Sequence, residues 1–306
     1  MMNQSPYRKN IILILQITTS LVLIGRGWEH FIGDPAYHAF FWNHTLFGWF
    51  IEGILGIEWN NFLTNTVYDD RLLAFQHIIG ATLLTLAALI WIPIKNRKLT
   101  SYTLLSTTLL LLILSTFKTL DHFATIGQFI EQLSQITCPL LLLLFCREDF
   151  SLPKIQTLLK VIIALTFIGH GLYAIGFYPQ PPVFIKMIRG TTACEYATAQ
   201  IILYFVGALD IIAALLLFFP NKRIQQLALG HIILWGFITA FGRFFGSVNY
   251  NHFWFTTQQF WHLSAFRMVH GLLPLVLFLL PQSFLRIKLR GTPLKTIPLI
   301  PLKTKS

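Results

Sequence analysis

The chain has 306 residues, of which 55% are hydrophobic and only 11% charged, and its formal net charge is +11. Because a soluble domain carries about 25% charged residues, this composition excludes an ordinary soluble protein and indicates a polytopic membrane protein. No nucleic-acid-binding motif accompanies the basic residues, so we expect no nucleic-acid partner.

Eight apolar segments are each long enough to span a bilayer as a helix of about 20 residues. In chain order they cover residues 11–32, 72–94, 101–122, 125–146, 155–178, 197–219, 224–246 and 260–282. The fourth segment is diluted by Glu131, Gln132 and Gln135, which leaves seven spans and one re-entrant segment as the alternative. The predicted fold is an all-α integral membrane protein with eight transmembrane helices.

The basic residues predict the topology. Sixteen of the 23 Lys and Arg residues lie in the two termini and in three short connections, where Glu148 and Asp149 are the only acids. The positive-inside rule therefore places both termini in the cytoplasm. We expect a bacterial inner (cytoplasmic) membrane protein with its longer loops outside, a basic cytoplasmic tail over 286–306 and possible contacts with anionic lipid.

The two halves of the chain repeat one another. Ile-Gly-Arg-Gly at 24–27 is matched by Ile-Gly-His-Gly at 168–171, and Gly-Ala at 80–81 by Gly-Ala at 207–208. Pro139 and Pro274 occupy comparable places in the fourth and eighth segments, and Pro274 is expected to kink the eighth. The pattern predicts two pseudo-symmetric four-helix bundles forming a parallel repeat, with the symmetry axis along the membrane normal. The first would cover 1–150, with a long outer loop at 34–70, and the second 151–285.

These motifs resemble a known family. A first helix that ends in a Gly-rich turn, a loop that contains proline, and a second helix reading VGALDIIAALLLFFP over 206–220 are similar to the DoxX-like family of four-helix membrane proteins. The resemblance covers 11–146 and 155–282, as a tandem duplication. The family often places an acid in the second helix, where Asp210 matches and Leu83 departs. Some relatives are subunits of thiosulfate:quinone oxidoreductases, so the resemblance implies a fold and leaves the reaction open.

Polar residues cluster toward the outer ends of the predicted helices. Charged groups at membrane depth are costly, and they usually face a bundle interior or a watery cavity. We expect most of them to line one outward-facing chamber, with Asp210 deeper. The alternatives are a self-satisfying Arg26–Glu29 pair, a protonated Asp210 bonded to a neighbouring helix, and an interfacial belt around helix eight. The ligand-binding candidates are Arg26, Glu29, His30, His77, His170, Asp210, Arg243 and His270, and Arg71, His262 and Arg267 fall at the same level.

Motifs for other chemistry are missing from the sequence. No Cys-x-x-Cys, phosphate loop or nucleophile elbow occurs, and no His/Cys spacing selects a metal or haem site. We therefore expect no metal and no haem, and a quinone is the cofactor that the resemblance allows. No residue is predicted to be catalytic, and the sequence leaves open whether the protein is an enzyme.

Three classes of function compete. The first is a quinone-linked, redox-associated subunit with an outward-facing polar site for a small molecule. The second is a transporter or lipid-handling protein with its site between the repeats, and the third is a non-catalytic membrane scaffold. The partners expected are the lipid bilayer, a small lipophilic ligand and another membrane protein.

Overall fold

The computed structural model describes residues 6–33, 35–92, 97–147 and 151–280, so the basic tail, Glu148 and Asp149 lie outside the described residues. Over these ranges the chain is helical and forms no strand. A six-residue π-helix covers Trp49–Ile54, and a 3₁₀ turn covers Tyr250–His252. The α-helices are Pro6–Ile32 (α1), His38–Phe41 (α2), His44–Gly48 (α3), Trp59–Thr64 (α4), Thr66–Leu89 (α5), Arg97–Asp121 (α6), Ile126–Glu131 (α7), Leu133–Cys146 (α8), Leu152–Ala174 (α9), Pro182–Thr192 (α10), Tyr196–Leu216 (α11), Lys222–Phe245 (α12), Phe253–Ala265 (α13) and Val269–Leu279 (α14).

Seven helices of the described chain are long and apolar enough to cross a membrane, as expected of a polytopic membrane protein. Six are single helices, and the seventh runs over Tyr250–Leu279 with a short interruption. Observed bounds lie within a few residues of most predicted segments; for example, the predicted segment 197–219 is the helix Tyr196–Leu216. Apolar length alone therefore located the helices.

The fourth predicted segment differs from a single spanning helix. Residues 125–146 form α7 and α8, which are separated at Gln132, and α8 has only 14 residues. Three polar side chains around this break point into the protein interior: Glu131, Gln132 and Gln135 are all buried. The interruption thus coincides with the residues that dilute the hydrophobicity of this segment.

The eighth predicted segment begins earlier than expected and is interrupted before its proline. The helix starts at Phe253 rather than near residue 260, and the break lies between Ala265 and Val269 rather than at Pro274. At the break the His270 amide donates to the Arg267 carbonyl three residues earlier, at 2.9 Å. Such three-residue bonds tighten the helical turn.

The packing of the long helices positions the polar side chains. α1 packs against α5, and α9 packs against α11. α1 also contacts α13 and α14, while α9 contacts α7 and α8, so each of these two helices touches elements from both halves of the chain. We call the side of the bundle where α1 and α9 end the far side.

Candidate functional site

One polar cluster surrounds Arg26 near the far-side end of α1. The guanidinium donates to Glu29 at 2.8 Å and to Oε1 of Gln135 at 2.8 and 3.0 Å. It also donates to Oε1 of Gln132 at 3.2 Å and lies over the Phe266 ring, 4.1 Å from its centroid. Charge-assisted bonds of this kind are stronger than neutral ones. Arg26 is therefore fully engaged by groups of the protein itself.

A small cavity of about 20 Å³ adjoins this cluster, and His30 and Tyr37 are among the residues that line it. The His30 ring contacts the Tyr37 hydroxyl at 2.8 Å and the Arg26 carbonyl oxygen at 2.6 Å. Gln76 donates to the carbonyls of His30 and Gly33, which satisfies the end of α1. Burial raises the pKa of Tyr37, so this loop phenol stays protonated and neutral. The cavity is bordered by groups that already have partners.

A second polar cluster joins the two halves of the chain through Glu131. Its carboxylate, at the end of α7, lies 2.8 Å from Nδ1 of His170 on α9 and 3.5 Å from Nη1 of Arg267. The His170 ring packs edge-on against His270, with 4.8 Å between the ring centroids. One buried carboxylate thus holds a histidine and an arginine that both belong to the other half.

Beside this second cluster lies a cavity of about 50 Å³. It exceeds the roughly 10–15 Å³ that one water molecule requires. Its polar border is formed by His170, Asp210, Thr239, Arg243, Arg267 and His270.

Three side chains of this cavity have polar atoms without a hydrogen-bond or ion-pair partner in the described part of the chain. Arg243 is 6% exposed and its side chain makes no hydrogen bond or ion pair; it lies over the Phe184 ring at 4.8 Å. Asp210 is 5% exposed and its Oδ1 has no partner, and His270 is 2% exposed with Nε2 unpartnered. Because most buried polar groups in proteins are hydrogen-bonded, two unpartnered buried atoms beside an arginine without an ion pair identify this cavity as the candidate site.

Glycines hold the surrounding helices close together. A Cβ on Gly169 would lie 3.1 Å from the Glu131 amide nitrogen, and one on Gly171 would lie 2.7 Å from the Gly207 carbonyl oxygen. A Cβ on Gly236 would press on the backbone of His270. These approaches set the position of Glu131 in the second cluster and that of His270 at the cavity.

The structure divides the predicted site residues between two places. Arg26, Glu29 and His30 border the first cavity, whereas His170, Asp210, Arg243 and His270 border the second, so the expected single chamber is two cavities.

Other residues of the predicted set border neither cavity. His77 is half-buried and stacks on Phe31 with 5.3 Å between the ring centroids. Arg71 is exposed and its guanidinium lies 5.8 Å from the Tyr68 ring centroid. His262 is buried with Nδ1 unpartnered.

Gln132 and Gln135 belong to the first cluster and Glu131 to the second, and none of the three is among the predicted site residues. Their spacing was the available signal. Positions three and four residues apart share a helix face, and in an apolar segment a polar face points inward. In the sequence these residues were interpreted only as lowering the hydrophobicity of the fourth span.

The described residues contain no cluster of three or more metal-ligating side chains. All three cysteines are free thiols: Cys138 is buried, Cys194 half-buried and Cys146 exposed. Comparison of the chain with protein-family models, with curated proteins and with solved structures gives no match.

Proposed function

We propose that this chain is an integral membrane protein that binds a small anion in the cavity of its second half. The observation that carries the proposal is Arg243, a buried guanidinium that borders the cavity without a hydrogen bond or ion pair from the described protein. An arginine does not lose its proton in proteins, and an unpaired buried charge is costly. A bound anion would supply the direct partner that this guanidinium lacks.

The contrast between the two cavities supports this choice. In the first cavity Arg26 is bonded to Glu29, Gln132 and Gln135. In the second, Arg267 is paired with Glu131, but Arg243 forms no ion pair with a described residue. We therefore assign a structural role to the polar cluster at the first cavity and ligand binding to the second cavity.

We further propose that the chain arose by duplication and has eight spans. Gly25 meets the backbone of His262 and Phe266, and Gly169 meets that of Gly127 and Glu131. His262 and Phe266 lie 135 residues after Gly127 and Glu131, respectively. Gly169 lies 144 residues after Gly25, as in the sequence repeat.

Contacts inside each half follow the same rule. Gly27 meets Gly80 and Leu84, and Gly171 meets Gly207 and Ile211. The partners of Gly171 lie 127 residues after those of Gly27. Equivalent contacts at equivalent positions favour two parallel four-helix units, in which α7 and α8 together make the fourth span. This architecture is the one that the DoxX-like resemblance implies.

The orientation rests on charge. The positive-inside rule places both termini in the cytoplasm of a bacterial inner membrane, and hence the far side outside. Arg8 donates to the carbonyls of Phe145 and Arg147, so the beginning of α1 and the end of α8 share one side. The candidate site then opens toward the outer half of the membrane.

A quinone-linked role is the second candidate, and the resemblance favours it. Arg243 and His270 could donate to a quinone carbonyl. The cavity of about 50 Å³ is far below the roughly 300–1,000 Å³ of pockets for drug-sized ligands, so a quinone requires the helices to separate. Mass spectrometry of lipids and quinones that co-purify with the protein distinguishes this role from an anion-binding transporter or a scaffold.

The test of anion binding is thermal stabilisation of the purified protein by sodium formate, nitrate and phosphate. A ligand at 100 times its Kd stabilises the folded state by about 2.7 kcal/mol. We expect a saturable rise in Tm with at least one of these anions, abolished by Arg243→Gln. Arg223→Gln, an exposed arginine on the same helix, is the matched control and should retain it. No rise with any anion, or an equal rise in Arg243→Gln, contradicts the proposal.

A further inference from the structure

Arg243 and Asp210 border one cavity but do not form an ion pair with each other. No ion pair in the described chain involves Asp210, and its Oδ1 has no hydrogen-bond partner. The Trp235 indole interacts with the carboxyl group. Two charged residues of opposite sign thus face a shared space without closing it.

The two residues lie at different depths. Arg243 is two residues from the far-side end of α12, whereas Trp235 lies eight residues earlier, about 12 Å deeper at 1.5 Å per residue. Asp210, next to Trp235, lies fourteen residues into α11 from its far-side end at Tyr196. Thr239 and Leu203 border the space between. The cavity therefore runs from a cation at its shallow end to an acid at its deep end.

The charges of the empty site balance when Asp210 is ionised. Glu131 compensates Arg267, and Asp210 then compensates Arg243 across the cavity. An anion on Arg243 would add a second negative charge to this small space. Like charges in a buried site cannot both remain ionised at low cost. The cheapest bound state has a protonated Asp210, and the site is again neutral.

A proton suits this acid better than an ammonium group of the ligand. An ammonium brings three donors, each of which needs an acceptor. Around the deep end, Leu203, Val206 and Phe167 are apolar. The free Oδ1 of Asp210 accepts one proton directly, and this needs no further acceptor.

Other titratable groups face the same cavity and compete for the proton. They are His170 from α9, Arg243 from α12, and Arg267 and His270 from α14 and the turn before it. His170 is held by Glu131 at 2.8 Å, and the two arginines stay charged. His270, with Nε2 unpartnered, is the remaining rival.

We propose that the second-half cavity binds a small monovalent anion together with one proton, the anion at Arg243 and the proton on Asp210. The anion becomes paired with the guanidinium, and the carboxylate gains the proton from water, so no net charge enters the site. This inference rests on the proposed anion site and adds the coupling. It also gives Asp210 a role that a purely structural site leaves unexplained.

The experiment is titration calorimetry of the purified full chain with sodium nitrate and sodium formate, in pairs of buffers that differ in ionisation enthalpy. The difference in heat counts the protons taken up. For the wild type we expect about one proton per anion and a Kd that rises about tenfold per pH unit above the pKa of the carboxyl. Asp210→Asn should bind the anion with no proton uptake and no dependence on pH.

Two controls separate the rivals. Asp70→Asn, an exposed acid elsewhere, should behave as the wild type, and His270→Gln should still take up the proton. If the wild type binds neither anion at any pH, the proposed anion site fails. If it binds without proton uptake, or if uptake persists in Asp210→Asn, only the coupling fails. The wild-type proton count tests the inference even if Asp210→Asn does not fold.

Discussion

Two glycines on α12 give a matched test of the close helix contact that positions His270. In Gly236→Ala the new methyl group meets the carbonyl group of His270 and the amide of Gly271, which are backbone atoms that cannot rotate away. In Gly230→Ala, six residues earlier on the same helix, the methyl group meets nothing within 4 Å. The two substitutions are chemically identical, so they differ only in packing.

The expected magnitude follows from this difference. Replacing glycine by alanine inside a helix contributes up to about 1 kcal/mol of stability through backbone entropy, and this gain is common to both variants. Inserting a methyl group into a filled contact costs about 1–3 kcal/mol. Gly236→Ala should therefore be less stable than Gly230→Ala by about 1–3 kcal/mol.

The assay is thermal unfolding in detergent, with the same heating rate for every variant because irreversible unfolding makes Tm depend on the rate. A change of 1 kcal/mol moves Tm by roughly 2–4 °C in larger domains. Gly236→Ala should melt several degrees below Gly230→Ala. Equal Tm values would refute the reasoning, because α12 and α14 would then not be in the contact described.

Two further predictions concern the bridge between Glu131, His170 and Arg267 and the topology. Glu131→Gln removes the charge shared by His170 and Arg267 and should destabilise the protein by about 3–5 kcal/mol. The measurement is a lower Tm than that of the control Asp70→Asn. An unchanged Tm would show that the bridge does not stabilise the fold. Reporter fusions at Asn221 should score cytoplasmic and those near Asn249 external, and a cytoplasmic score at Asn249 would contradict the assigned orientation.

The sequence predicted the helices well because apolar length is a local property. α11 and α12 were located within three residues at each end. Breaks in helices were predicted poorly. Pro274 does not interrupt the last helix, which instead breaks between Ala265 and Val269. Whether a turn opens depends on the neighbouring helices as well as on the local residue.

The candidate site was predictable in its residue types and not in its pairing. An acid in an apolar helix, such as Asp210, is conspicuous in the sequence. The partner of His170 is not, because Glu131 is 39 positions away in the chain and the two meet only through the packing of α7 on α9. The sequence also does not show that the polar residues around one cavity have partners whereas some around the other do not, because this depends on three-dimensional contacts.

The bridge at Glu131 has a consequence for how the protein is made. Synthesis runs from the N-terminus, so α7 is made before α9 and the turn at Arg267 exist. Until then the carboxylate has neither of its two partners, His170 and Arg267. A nascent chain that ends near residue 147 carries an unmatched acid, whereas Arg26 already has Glu29 beside it. The first half is therefore an incomplete folding unit, and expressed alone it should be degraded unless the second half is supplied as a separate chain.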